Sequence, residues 1–174
     1  MPSLPNDTFD HKYVYEEIGY NLKPIEIQAA IGNAQIEKLD EITRLRKRNH
    51  KLIVDIFSKY KQYFHLPEAT DRSDPNWFAV ALTIKDDAPF TRSEFCKFLE
   101  YRRIQTRPYF AGNIMYHPAY QGLMSEEDLD KYPIAKKITT NTFFLGCSPI
   151  VNDDQIAYIG EKVDEFFGGE VWKK

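Results

Sequence analysis

The sequence predicts an α+β fold: a long N-terminal helical region, then a small, mostly antiparallel sheet covered by helices. Three observations carry that expectation. Residues 26–60 repeat apolar side chains at near-helical spacing with no proline to interrupt them. Residues 77–84 are a continuous apolar and β-branched run of strand length. Beyond them, capped helical segments alternate with short strand-like runs, an order that suits helices laid on one face of a modest sheet.

Residues 1–14 read as an extended lead-in, followed by a polar, glycine-containing loop at 19–23. Pro24 fits the first turn of the helix that follows, where its missing N–H costs nothing. Ile27, Ile31, Ala34, Leu39, Ile42 and Leu45 mark the apolar stripe. A straight helix of about 35 residues would run about 50 Å, so a break is expected at residues 41–43. A loop rich in Pro, Asp and Ser spans 66–75 and leads into the first strand. Asp86, Asp87 and Pro89 then turn the chain. Thr91 and Glu94 make a capping box for a helix to Tyr101, with Phe95, Phe98 and Leu99 inward. Residues 104–110 read as a second strand ending in Ala111-Gly-Asn113. A short helix over 132–140 precedes a strand over 142–146. Asn152 caps a last helix to residue 167, with Ile156, Ile159, Val163 and Phe166 as its stripe, and Gly168-Gly169 stops it.

A chain of 174 residues can bury the core of one ordinary domain. Its net charge of −3 gives no electrostatic case for nucleic acid. The basic cluster Arg44, Arg46, Lys47 and Arg48 shares its helix with Asp40 and Glu41 and reads as a solvated face. No apolar run reaches membrane-spanning length, and residues 1–10 lack a signal-peptide pattern, so a cytoplasmic protein without a membrane partner is expected. Cys96 and Cys147 lack metal-site spacing and read as small buried apolar residues, so no metal ligand is expected. His11, His50 and His65 have no convergent partners in the sequence.

Three blocks carry a resemblance: Gly19-Tyr-Asn-Leu-Lys23 with Gln28-Ala-Ala-Ile-Gly32; Gln105-Thr-Arg-Pro-Tyr-Phe-Ala-Gly-Asn113 with His117-Pro-Ala-Tyr120; and Asn141-Thr-Phe-Phe-Leu-Gly146. Over nearly the whole chain they resemble the C-terminal part of the pyridoxal-phosphate-dependent nucleotide-sugar aminotransferase and dehydratase family, of the aspartate-aminotransferase fold type I. Asp10-His-Lys-Tyr-Val-Tyr15 and the Phe110-Ala-Gly-Asn113 turn resemble its CDP-4-keto-6-deoxyglucose 3-dehydrase branch. His117-Pro is compatible with the aminotransferase pattern as well. The resemblance implies that residues 1–41 are a remnant of a large cofactor domain and residues 42–174 a small C-terminal domain. It implies pyridoxal or pyridoxamine phosphate in a parent enzyme, a [2Fe–2S] cluster and a reductase partner in the dehydrase branch, and a homodimer. The implied substrate is a nucleotide-activated keto-deoxy sugar, made into a 3,6-dideoxyhexose for lipopolysaccharide O-antigen. The family's Schiff-base lysine or its replacing histidine, and the cluster cysteines, lie upstream of these motifs. The chain is therefore expected to contain no catalytic residue, to be inactive alone, and to bind no cofactor tightly.

Five residues are the candidates for binding. The resemblance places Asn21 on the cofactor phosphate of the neighbouring subunit, a sound amide donor; a turn residue is the other reading. It places Lys23 on the substrate's nucleotide phosphates, where the family often has arginine; an ordinary surface lysine is the alternative. Arg107 matches a Thr-Arg pair near the substrate, against a structural ion pair. Asn113 and His117 are candidates to line the sugar pocket, and His117 reads equally as a loop histidine bonded to backbone. Two other function classes remain beside the dehydrase fragment: a fragment of a nucleotide-sugar aminotransferase, and a non-catalytic dimerisation or interaction module that uses the apolar face of the long helix.

Overall fold

The computed structural model describes residues 14, 15, 17–20, 25–120 and 122–169. Two helices, α1 (Glu26–Ile36) and α2 (Leu39–Ser58), lead to strands β1 (Phe64–His65) and β2 (Ala79–Ile84). Helix α3 (Arg92–Tyr101), strand β3 (Thr106–Pro108) and two 3-10 turns (Ile114–Tyr116, Pro118–Tyr120) follow. The chain ends in α4 (Glu126–Asp130), α5 (Pro133–Asn141), β4 (Thr142–Gly146) and α6 (Asp153–Gly168). The sheet order is β1-β2-β4-β3 and every pairing is antiparallel.

The helical region breaks at Glu37 and Lys38, ahead of the expected 41–43. Asp40 and Glu41 explain the position: they fall in the first turn of α2, where carboxylates favour the positive end of the helix dipole. All described residues from 25 to 41 are exposed, and Ile42 is the first half-buried one. Burial deepens along α2 to Asn49, His50, Ile53 and Phe57, the side facing the sheet.

Alternation along β2 and β4 splits the sheet into two faces. Val80 lies opposite Leu145 and Leu82 opposite Phe143, and all four are buried on the face taken by α2, α3 and α6. Phe95 of α3 is fully buried at the centre of that core. Its ring lies 4.8 Å from Phe166, 5.5 Å from Phe64 and 5.6 Å from Phe143, mostly edge-on or tilted, as ring quadrupoles prefer. Thr91 and Asn152 cap α3 and α6 as expected, and Gln155 completes a capping box with Asn152. Both cysteines are free and buried; burial pushes the Cys96 thiol up to about 12 and raises that of Cys147, disfavouring either thiolate.

The second face carries Ala81 opposite Phe144 and Thr83 opposite Thr142, the two threonine hydroxyls bonding at 2.8 Å. It is not left bare. Phe78 and Phe110 pack on Phe144, and the chain after β3 folds back over this side, so the sheet is covered on more than the single face expected. β3 is shorter than its predicted range because Pro108 cannot continue the ladder. The two-residue β1 and five-residue α4 have no counterpart in the sequence reading; α4 rests on a Ser125–Asp128 capping box. The basic cluster also differs from a solvated face. Arg46 donates to the carbonyls of Trp77 and Phe78, Lys47 pairs with Asp74 and Arg48 with Asp153, because this side of α2 abuts the loops flanking β2 and β4.

Phe95→Ala should cost about 3–5 kcal/mol, the usual penalty for emptying a closed aromatic site. Urea unfolding measures it, and a loss below about 1 kcal/mol contradicts this core.

Candidate functional site

Pro108 ends β3 and forces a tight turn. Within it Phe110 and Gly112 both adopt positive φ, +48° and +59°. Only glycine fits at 112: a Cβ there would stand 2.6 Å from Thr139 Oγ1 and 3.0 Å from its Cα. The close approach is used. The Asn113 backbone N–H donates to Thr139 Oγ1 at 2.7 Å, and that hydroxyl donates to the Ala135 carbonyl at 2.7 Å, pinning the turn to α5. Asn113 Oδ1 accepts from Met115 N–H at 3.1 Å and caps the first 3-10 turn.

His117 is fully buried beneath this turn. Its Nδ1 accepts the Tyr15 N–H at 3.1 Å, and its Nε2 lies 2.8 Å from the Ala111 carbonyl. A carbonyl only accepts, so the proton sits on Nε2 and the lone pair on Nδ1. The Ala119 N–H donates to the Tyr15 carbonyl at 2.9 Å, closing a second bond to the lead-in.

Arg107 pairs in register with Phe144, which puts both side chains on the second face of the sheet. There Phe110 lies 5.5 Å from Phe144 and 5.9 Å from Phe78. Phe78 is 61% exposed and Phe110 42% exposed, so an aromatic shelf opens to solvent on the face that carries Arg107. An exposed apolar surface on the same face as a cation suits a ligand with an aromatic ring and phosphate. The carbonyl of Phe78 is held by Arg46 at 3.1 Å, and Trp77 before it stacks on His50 at 4.1 Å between ring centroids. His50 is buried with Nε2 unpartnered, and that burial lowers its pKa.

Arg107, Asn113 and His117 therefore flank the same turn, in different capacities. Arg107 is half-buried on the open side, whereas Asn113 is buried with its oxygen on a backbone N–H. His117 has both ring nitrogens on backbone groups, which matches its loop-histidine reading. Asn21 and Lys23 lie outside the described residues. The sequence reading passed over Thr139 and Tyr15, which hold the turn, and Phe78 and Phe144, which floor the shelf; Gly112 was the one local signal of a strained turn.

Pyridoxal phosphate needs an amine or proton-carrying group beside phosphate donors. Among the described residues around the turn and shelf, His117 is committed to backbone and His50 is stacked on Trp77, so neither histidine fits that role.

The model of the DegT/DnrJ/EryC1/StrS aminotransferase family matches residues 3–164. Lipopolysaccharide biosynthesis protein RfbH of Salmonella typhimurium is 36% identical over 174 residues, 97% of this chain and 38% of that protein. A dTDP-4-dehydro-2,6-dideoxy-D-glucose 3-dehydratase of Saccharopolyspora spinosa is 38% identical over 164 residues, 91% of this chain and 34% of that one. Among solved structures, Escherichia coli GDP-4-keto-6-deoxy-D-mannose-3-dehydratase with bound hydrated PLP superimposes with a TM-score of 0.65 at 26% identity, over 91% of this chain and 40% of that one. The chain thus spans about two fifths or less of the proteins it matches, and the fold is that of part of a fold type I pyridoxal-phosphate enzyme. No described helix is long and apolar enough to cross a membrane.

Two outcomes follow from this geometry. Gly112→Ala should lower stability by about 2 kcal/mol through the left-handed backbone and the Thr139 contact; a thermal melt unchanged from wild type contradicts the pinned turn. His50, with its folded pKa depressed, contributes stability that is complete above its unfolded value of about 6.5 and is lost as pH falls through the folded value. His50→Phe should therefore flatten the acid side of the stability curve measured by urea unfolding between about pH 7 and pH 5.

Proposed function

The chain belongs to the DegT/DnrJ/EryC1/StrS aminotransferase family, and from that premise we propose that it is the C-terminal portion of a nucleotide-sugar 3-dehydratase. The similarity above 35% identity to RfbH and to a 3-dehydratase, each over nine tenths of the chain or more, carries this reading. The parent removes the C3 hydroxyl of a nucleotide-activated 4-keto-6-deoxy sugar, toward a 3,6-dideoxyhexose of lipopolysaccharide O-antigen, in the cytoplasm. Its pyridoxal or pyridoxamine phosphate, a [2Fe–2S] cluster and a reductase partner are engaged by the rest of that protein, and the portion described here is inactive alone.

In this reading residues 1–41 belong to the cofactor domain and residues 42–174 form the small domain, in keeping with the full exposure of 25–41. Asn21 and Lys23 reach across a homodimer to cofactor and nucleotide phosphates. Arg107 binds substrate from the open face, while Asn113 and His117 shape the pocket wall from beneath. In the parent enzyme Arg107→Ala should raise KM for the nucleotide sugar about 10- to 100-fold, the worth of one charge-assisted hydrogen bond, with kcat changed far less. An unchanged KM removes Arg107 from the substrate. Transfer of an amino group from glutamate, with the C3 hydroxyl retained, would favour the aminotransferase alternative instead.

One observation favours a second reading, an interaction module. Ile25, Ile27, Ile31 and Ile36 on or beside α1 are each more than half exposed, an apolar surface with no cover among the described residues. Light scattering of the isolated chain should then show a dimer that Ile31→Asp dissociates; a monomer before substitution rules this module out.

A further inference from the structure

We propose that His117 is a positioning residue, a two-sided clamp that fixes Tyr15 onto the turn after β3 and so holds the shelf residue Phe110 in place. The functional half of the proposal rests on the reading that the shelf on the Arg107 face meets substrate. The clamp itself rests on geometry alone. Tyr15 and His117 are 102 positions apart, and no helix or strand joins their segments. One imidazole bridges them: its Nδ1 takes the Tyr15 N–H and its Nε2–H reaches the Ala111 carbonyl. The Tyr15 ring lies 5.2 Å from the imidazole, and its carbonyl takes the Ala119 N–H.

The arrangement explains why a histidine should be fully buried next to a binding turn without facing ligand. A buried group that both accepts and donates at fixed separation ties two backbones that would otherwise leave an N–H and a C=O unsatisfied. Ala111 is the residue between Phe110 and Gly112, so the Nε2 end of the clamp grips the strained turn itself. The Nδ1 end grips the lead-in. The rigid ring, together with the Ala119–Tyr15 bond, holds the shelf residue Phe110 and Tyr15 in one frame.

Glutamine carries an acceptor and a donor on one planar amide, whereas alanine and phenylalanine carry neither. Amide hydrogen exchange at Tyr15 and Ala119, followed by NMR, tests the clamp. His117→Ala and His117→Phe should speed exchange at both amides about tenfold or more, the equivalent of one ordinary hydrogen bond, while β2 and β4 amides hold their rates. His117→Gln should restore most of the protection. Unchanged exchange in the alanine variant, or no recovery in the glutamine variant, overturns the proposal. Titration of the same variants with CDP, GDP and dTDP reads the functional half. Affinity lost in His117→Ala and regained in His117→Gln supports it; wild-type affinity in an alanine variant whose Tyr15 amide is freed overturns it. Absence of binding in every variant, wild type included, counts against the shelf reading and leaves exchange to decide the clamp.

Discussion

The antiparallel ladder between β2 and β4 is the constraint from which the rest of the molecule follows. It runs from Ala79 opposite Gly146 to Thr83 opposite Thr142, and β1 and β3 merely extend it on either side. Strand periodicity then assigns each side chain a face. Phe143 and Leu145 go to the helices; Phe144 goes to the other side, opposite Ala81 and beside Arg107. A slip of one residue would reverse that division, sending Phe144 into the helical core and Phe143 to the shelf. The phenylalanines from α2, α3 and α6 close around the first face, which fixes the register on which the second depends.

On the second face the molecule both packs and presents: Phe144 and Thr142 are buried, while Phe78 and Phe110 stay partly exposed. The turn at Tyr109 to Asn113 holds Gly112 and Phe110 at positive φ, which costs energy at Phe110 and persists there only where surroundings over-determine it. Thr139 below and His117 behind do so. The result is a rigid rim at the open edge of the sheet, with Phe110 and Phe78 outward and Arg107 alongside. The bonds that support the turn run to backbone groups. This division of labour also separates Arg107 from Asn113 and His117, which lie close in sequence and differ in what their polar atoms face.

Much of the fold was legible because its signals are local. Thr91 with Glu94 and Asn152 announce helix starts, and Thr142 to Gly146 reads as a strand from composition alone; each stands where expected. What was not legible depended on distant partners. Arg46 looks like solvent-facing charge until the carbonyls of Trp77 and Phe78 are brought to it. The helix break shifted to Glu37 and Lys38 because Asp40 and Glu41 favour a start just ahead of them, an effect that the long apolar periodicity masks. His117 stayed ambiguous for a related reason: its Nδ1 partner is 102 positions away, beyond any pattern a window of sequence can hold. Thr139 carries no sequence signal at all, since its role exists only against Gly112.

The proposed substrate contact lies on the face of the sheet that carries Arg107, Phe78 and Phe110. Chemical-shift mapping of the isotope-labelled chain with CDP, GDP or dTDP is the measurement to make. A nucleotide bound there shifts the Arg107 guanidinium and the Phe78 and Phe110 rings and leaves the core rings of Phe95 and Phe143 unmoved. Shifts confined instead to the 560 Å³ cleft between Gln105, Gly146 and Tyr158 would contradict that contact, because the cleft includes none of the three residues.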